Sequence, residues 1–357
     1  MTDLHAPLEF ARGPAMKNRF MLAPMTNCQS HPDGRLSDDE RRWLVKRAEG
    51  GFGLTMTCAA HVQAVGQGFP GQLGVFGDQH VEGLARLADE LRAAGSRSAV
   101  QLHHAGRRAP EKLIGQQPVA PSDCEETGAR ALTLTEVEAL VEDFVLAAER
   151  SDRAGFDGVE IHGAHDYVLC EFLSPATNRR EDRYGGSPEN RARLVHEIID
   201  GIRARCRADF QVGLRLSPER YGLRLAEMLA LSEQVMLGGQ LEYLDVSLWD
   251  ASKEPEEEGF AGQSLMGLFT ALERGATRLG VAGKIASRAD AGACLDAGCD
   301  FVLIGRAAIL HHDFPERVRD AAFRPQATPV TREYLRGEAL GEAFIDYLSR
   351  WPDFIAD

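Results

Sequence analysis

The chain has 357 residues, 44% of them hydrophobic, and a formal net charge of −14. That length exceeds the usual ~100–200 residues of one domain, but α/β barrels routinely run longer as a single unit. The acidic balance excludes nucleic acid and anionic membrane surfaces as expected partners, because both select basic patches. Seven cysteines, at 28, 58, 124, 170, 206, 294 and 299, form no Cys-x-x-Cys pair. Neither a zinc ribbon nor a disulfide framework is therefore expected, and reduced thiols in the cytoplasm fit the spacing. Met1–His5 lacks a basic region followed by an apolar run, and no uncharged apolar stretch reaches the ~18 residues of a membrane span. A soluble, cytoplasmic protein is expected.

In chain order, runs of apolar or β-branched residues predict strands near Phe20–Ala23, Gly53–Thr57, Ser98–Leu102, Gly158–Ile161, Gln211–Leu216, Tyr243–Ser247, Leu279–Ala282 and Phe301–Ile304. Such runs suit parallel strands buried on both faces. Helical patterns lie between them at Asp38–Ala48, Gln79–Ala94, Leu134–Ala154, Glu189–Arg207, Leu225–Leu237, Leu265–Leu279 and Arg288–Ala297. Gly95, Gly155 and Gly298 read as left-handed caps, and Ser187-Pro188 reads as an N-cap with proline at the first helical position. Eight strands alternating with helices predict an α/β fold, a (β/α)8 TIM barrel over 1–330, with a helical tail over 331–357. Long loops after the third strand (Ala105–Thr133) and the fourth (His162–Pro188) point to function.

The strand ends carry the chemistry, as barrel sites are built there. Strand one leads into Pro24-Met25-Thr26, and strand two into Cys58-Ala59-Ala60. Strand three ends Gln101-Leu102-His103-His104-Ala105-Gly106-Arg107, and strand four delivers His162, His165 and Tyr167. Strand five contributes Arg215. Gly283-Lys284 and Gly305-Arg306, after strands seven and eight, match the phosphate site of barrels. Two imidazoles beside a phenol suit reduction of an alkene next to a carbonyl. They also leave a metal pair open, with Glu160 expected on the opposite face of the strand. Arg215 pairing with an acid inside the barrel, Gln101 capping backbone, Tyr167 as a packing aromatic, Thr26 as a turn hydroxyl and the glycines as plain turns are the structural alternatives.

Taken together, Lys17-Asn18-Arg19-Phe20 with Ala23-Pro24-Met25-Thr26, Gln101-Leu102 with His104-Ala105-Gly106-Arg107, His162 through Tyr167, Phe172-Leu173-Ser174-Pro175, Tyr184-Gly185-Gly186-Ser187 with Asn190-Arg191, and Ile304-Gly305-Arg306 are specific. On these motifs the chain closely resembles the Old Yellow Enzyme family of flavin-dependent ene-reductases. The resemblance implies tightly bound FMN, reduction by NADPH or NADH, and an α,β-unsaturated carbonyl compound as substrate. It places Pro24, Met25, Thr26 and Ala59 at the flavin, with Thr26 and the Ala59 backbone at O4. Gln101 would meet the pyrimidine edge, Arg215 N1 and O2, and Gly283, Lys284, Gly305 and Arg306 the phosphate. His162 and His165 would grip the substrate carbonyl and Tyr167 would protonate the α-carbon. Three departures stand out. Thr26 replaces the cysteine of some members, Cys28 stands where some have a substrate-contacting tyrosine, and Lys284 replaces a glycine. Larger relatives add a cysteine cluster for iron–sulfur after the barrel, and this sequence carries none. Oxidative N-demethylation on the same barrel and a non-redox sugar-phosphate isomerase are the alternative activities. A homo-oligomer, dimer or tetramer, is expected, with the aromatic Trp351–Ile355 segment reaching a neighbouring subunit rather than covering the barrel bottom.

Overall fold

Eight parallel strands close into one barrel: β1 Phe20–Leu22, β2 Leu54–His61, β3 Arg97–His103, β4 Gly158–Gly163, β5 Gln211–Leu216, β6 Tyr243–Ser247, β7 Arg278–Ala282 and β8 Phe301–Ile304. They are hydrogen-bonded in sequential order around the ring, β8 returning to β1. The computed structural model describes residues 3–356; Met1 and Thr2 of the N-terminal stretch and Asp357 of the tail lie outside them. The helices that follow the strands are α1 Asp38–Glu49, α2 Val81–Ala93, α3 Leu134–Arg153, α4 Pro188–Arg205, α5 Leu225–Leu237, α6 Leu265–Thr270, α7 Arg288–Asp296 and α8 Arg306–Leu310. The expected (β/α)8 architecture is what the chain adopts. Among the described residues no helix is long and apolar enough to cross a membrane.

Local signals explain most boundaries. Ser187 accepts from the Asn190 N–H at the start of α4, with Pro188 at its first turn, where a missing N–H costs nothing. Thr133 and Glu136 cap α3 reciprocally. Other boundaries differ from the sequence reading. α6 stops at Thr270 instead of reaching Leu279, and Gly275 then turns through φ 55° toward β7. β2 runs on to His61, because a register shift between Met56 and Ala59 lets it stay paired with β3. A short parallel ladder, Val119–Ala120 with Arg130–Ala131, and a helix over Val168–Leu173 organise the two long loops. The tail is two short helices, Arg332–Gly337 and Glu342–Leu348.

The barrel separates two apolar regions. Outward residues such as Val100, Ile161, Leu214 and Val246 pack under the helices. Inward residues Met21, Leu54, Met56, Ala99, Tyr243, Phe301 and Leu303 plug the N-terminal end. Period-two alternation along each strand produces this division. Two glycines make room for the largest plug residues. A Cβ on Gly213 would lie 2.1 Å from the Tyr243 ring, and one on Gly280 2.1 Å from the Phe301 ring. Gly213→Ala is therefore expected to destabilise the barrel by ~1–3 kcal/mol through overpacking. An unchanged urea midpoint for that variant would contradict the packing.

The tail folds onto its own barrel. Phe344 stacks edge-on against Trp43 of α1 at 5.5 Å, and Val330 bridges Ile355. The Gly341 N–H donates to Gln29 beyond β1, and Trp351 lies 5.3 Å from the Arg306 guanidinium at the start of α8. The tail thus sits beside the C-terminal ends of β1 and β8, not under the barrel bottom.

Candidate active site

Above the apolar plug, the inward faces of β3 to β6 turn polar. Register places Gln101 opposite Glu160, His162 opposite Arg215, and Arg215 opposite Asp245. Gln101 Nε2 donates to Glu160 Oε1 at 2.8 Å and lies 3.4 Å from His162 Nδ1. Arg215 Nε is 3.0 Å from Asp245 Oδ2, an ion pair too poorly aligned to count as a hydrogen bond. Glu160 therefore shares the inward face of His162. Expecting it on the opposite face was wrong by the strand's own period, since residues two apart point the same way.

The β4 loop then folds two rings back toward the barrel axis. His165 and Asp166 both take left-handed backbone, φ 61° and 60°, at a cost of roughly 1–2 kcal/mol per residue. Side chains from other loops hold that turn. Arg107 grips Asp166 with bonds of 2.8 and 2.7 Å, Arg108 donates to the His165 carbonyl at 2.7 Å, and the His165 N–H donates to Ser217 Oγ at 3.0 Å. The result brings the His165 ring within 5.1 Å and the Tyr167 ring within 5.4 Å of His162. His103 closes the group at 4.3 Å from Tyr167, and Arg108 lies 4.9 Å over the Tyr167 ring. His165 Nε2 meets Ser247 Oγ at 2.7 Å, and Ser247 is also 3.4 Å from Arg215 Nη2.

Burial fixes the protonation of these rings. It holds the His162 pKa well below the usual imidazole value, with His165, His103 and Arg215 adding repulsion. His165 is pushed down to about 3 by burial first and by Arg215 and Arg108 after it. Both are neutral imidazoles with one N–H each. Burial raises the Tyr167 phenol, and Arg108 opposes that rise, so the group carries its proton at neutral pH.

The same burial governs acid stability. His61 and His80 are lowered to about 4, His104 to about 3, and His103 well below the usual value, burial being the first cause in each. With His162 and His165, these side chains are neutral in the native state. The unfolded chain takes up protons below about pH 6.5, so the stability is complete above that value and is lost as pH falls. Each histidine contributes up to about 1.4 kcal/mol per pH unit. The urea midpoint is expected to drop steeply between about pH 7 and pH 5; a flat profile would contradict neutral burial.

The remaining residues singled out in the sequence occupy the other strand ends of the same rim. Pro24, Met25 and Thr26 are half-buried after β1, and Met25 Sδ lies 3.7 Å from where a Gly305 Cβ would be. Ala59 sits on β2 opposite Gln101, and its carbonyl accepts from Gln72. Cys28 takes left-handed backbone, φ 57°, and burial pushes its thiol up to about 11. Gly283 and Gly305 end the adjacent strands β7 and β8. Gly283 also admits the Asp250–Ala251 backbone, which a Cβ would meet at 2.8 Å. Lys284 is largely exposed, and its ammonium is 3.0 Å from Asp250. Sequence reasoning missed Ser247, Asp245, Glu160, His103 and Arg108. The alternation Tyr243-x-Asp245-x-Ser247 on β6 was the available signal for two of them.

The donor set fits a flavin. Among the described residues the Gln101 amide oxygen accepts no hydrogen bond, Arg215 Nη1 donates none, and Thr26 makes no side-chain hydrogen bond. An acceptor, one nitrogen of a fixed cation and a hydroxyl thus remain unengaged, the needs of a pyrimidine edge with N3–H, N1 and carbonyl oxygens.

Comparison with known proteins agrees. The NADH:flavin oxidoreductase / NADH oxidase family matches residues 3–322. A probable NADH-dependent flavin oxidoreductase of Bacillus subtilis is 36% identical over 359 aligned positions, covering 96% of each chain. An NADPH dehydrogenase of the same organism is 33% identical, covering 90% of this chain and 95% of its own. Morphinone reductase in complex with tetrahydroNAD superposes with a TM-score of 0.80 at 30% identity, covering 97% of both chains. The Old Yellow Enzyme homologue from Zymomonas mobilis superposes with a TM-score of 0.82 at 26% identity, covering 97% and 99%. The chain belongs to the NADH:flavin oxidoreductase family of the Old Yellow Enzymes, and is an FMN-dependent oxidoreductase reduced by NADH or NADPH.

Proposed function

We propose that the enzyme reduces the activated C=C bond of α,β-unsaturated carbonyl compounds, in two half-reactions that use one pocket in turn. FMN, when bound, would supply the hydride chemistry that connects NAD(P)H with the β-carbon of the alkene. Arg215 and Gln101 would hold its pyrimidine edge, Thr26 and Ala59 its O4 side beside Pro24 and Met25, and Gly283, Lys284, Gly305 and Arg306 its phosphate. The neutral N–H groups of His162 and His165 grip the substrate carbonyl oxygen and draw charge toward it, as an oxyanion hole does. Tyr167 then gives its proton to the α-carbon. Cys28 walls the substrate side, and His165, Ser217, Tyr221, Ser247 and Trp249 line one small pocket at the His165 ring.

One observation carries this reading: the His165 and Tyr167 rings both lie within 5.4 Å of the His162 ring, directly beside the Gln101–Arg215 layer. Initial rates at varied NADPH and a small cyclic enone are expected to give parallel double-reciprocal lines. Intersecting lines would show that both substrates are bound together and contradict a shared pocket.

A further inference from the structure

Behind the proposed flavin ligands lies a group that the mechanism above does not use. Glu160 and Asp245 are both fully buried inside the barrel, on β4 and β6, and β5 between them carries Arg215. The groups facing the two acids are Gln101 from β3, His162 from β4, Arg215 from β5 and the Tyr243 phenol from β6; β7 contributes only Gly280. His162 is neutral, so two carboxyls face a single cation. Burying an unpaired charge costs several kcal/mol, so the arrangement favours overall neutrality. Glu160 Oε1 accepts from Gln101 while Oε2 has no partner, and Asp245 is the acid beside Arg215. Burial and the Asp245 charge raise the Glu160 pKa, and burial raises that of Asp245 against the pull of Arg215.

We propose that Glu160 and Asp245 carry one proton between them, residing on Glu160, and that this pair is a positioning unit which orients Gln101 and sets how much of the Arg215 charge is left for the cofactor. The consequence rests on the FMN reading above. With the proton in place the cluster is neutral, and Arg215 can favour the extra negative charge of the reduced flavin. When Glu160 ionises at alkaline pH the cluster becomes anionic and disfavours it. The pair also reaches the substrate grip, through Gln101 to His162 and through Arg215 and Ser247 to His165.

Two measurements test this. In the purified protein at neutral pH, infrared difference spectra of wild type minus Glu160→Gln should isolate the carbonyl stretch of a protonated carboxylic acid at this pair, apart from any band of the buried Glu40 and Glu171. Both Glu160→Gln and Asp245→Asn should abolish it, because in the second variant Glu160 ionises against Arg215. Survival of that Glu160-dependent band in Asp245→Asn would overturn the single shared proton, and so would its absence from the wild-type protein. In the holoenzyme, the wild-type midpoint potential should fall with pH more steeply in the alkaline range than in Glu160→Gln. The variant should keep a tenfold change per pH unit throughout, about 30 mV for a two-electron couple. Parallel profiles would overturn the electrostatic role. A protein that shows the infrared band but binds no flavin would instead refute the cofactor reading and leave the proton pair standing.

Discussion

Tyr167→Phe is expected to slow alkene reduction by ~10²–10⁴-fold, the usual contribution of a positioned general acid, while reduction of the flavin by NAD(P)H stays nearly unchanged. The reasoning is structural. The phenyl ring keeps its contacts with His103, His162 and Arg108, so the variant loses a proton and little packing. The phenol is raised by burial and drawn back by Arg108, which keeps it protonated yet able to give the proton up. The half-reactions separate in anaerobic rapid mixing. Equal slowing of both would show that Tyr167 shapes the pocket rather than protonates the substrate.

The double variant His162→Ala with His165→Ala is expected to raise the dissociation constants of enones and of phenols that mimic their oxygen, and to lower the rate of alkene reduction by roughly 10²–10³-fold, as loss of an oxyanion donor does. FMN should remain bound, because on the proposed reading its holders are Gln101 and Arg215, on β3 and β5. Since both imidazoles are neutral by burial, wild-type enone binding should be flat across neutral pH. Loss of flavin from the double variant, measured by absorbance after gel filtration, would mean that the histidines serve the cofactor or the fold instead.

Much of this was legible in the sequence, for physical reasons. Buried parallel strands are uninterrupted apolar runs, so all eight were visible, and β5 and β6 were placed to the residue. What escaped depends on long-range geometry. The β2 extension needs a register shift against β3, and the end of α6 depends on a turn through Gly275 that resembles a helical continuation in composition. His165 was read as the partner of His162, but the backbone that joins their rings was not visible. Its return to the same pocket requires left-handed backbone held by Arg107, Arg108 and Ser217, which lie 52 to 59 positions from the residues they bind. Arg215 was read as either a structural ion pair or a flavin ligand, and the structure makes it the partner of Asp245 with donors to spare. Lys284 was read as a phosphate cation from position alone, and the ion pair it makes with Asp250 on the neighbouring loop was not legible in the sequence. Glu160 was misplaced by neglecting period two, and with it the acidic pair behind the site.

The central claim is that one pocket passes reducing equivalents from a nicotinamide to an enone. Anaerobic stopped-flow mixing of the FMN-loaded enzyme with NADPH, followed by a small cyclic enone, tests it most directly. Flavin absorbance should bleach in the first mix and return in the second, with the saturated ketone as product. Bleaching that only oxygen reverses, with the enone left intact, would contradict the account.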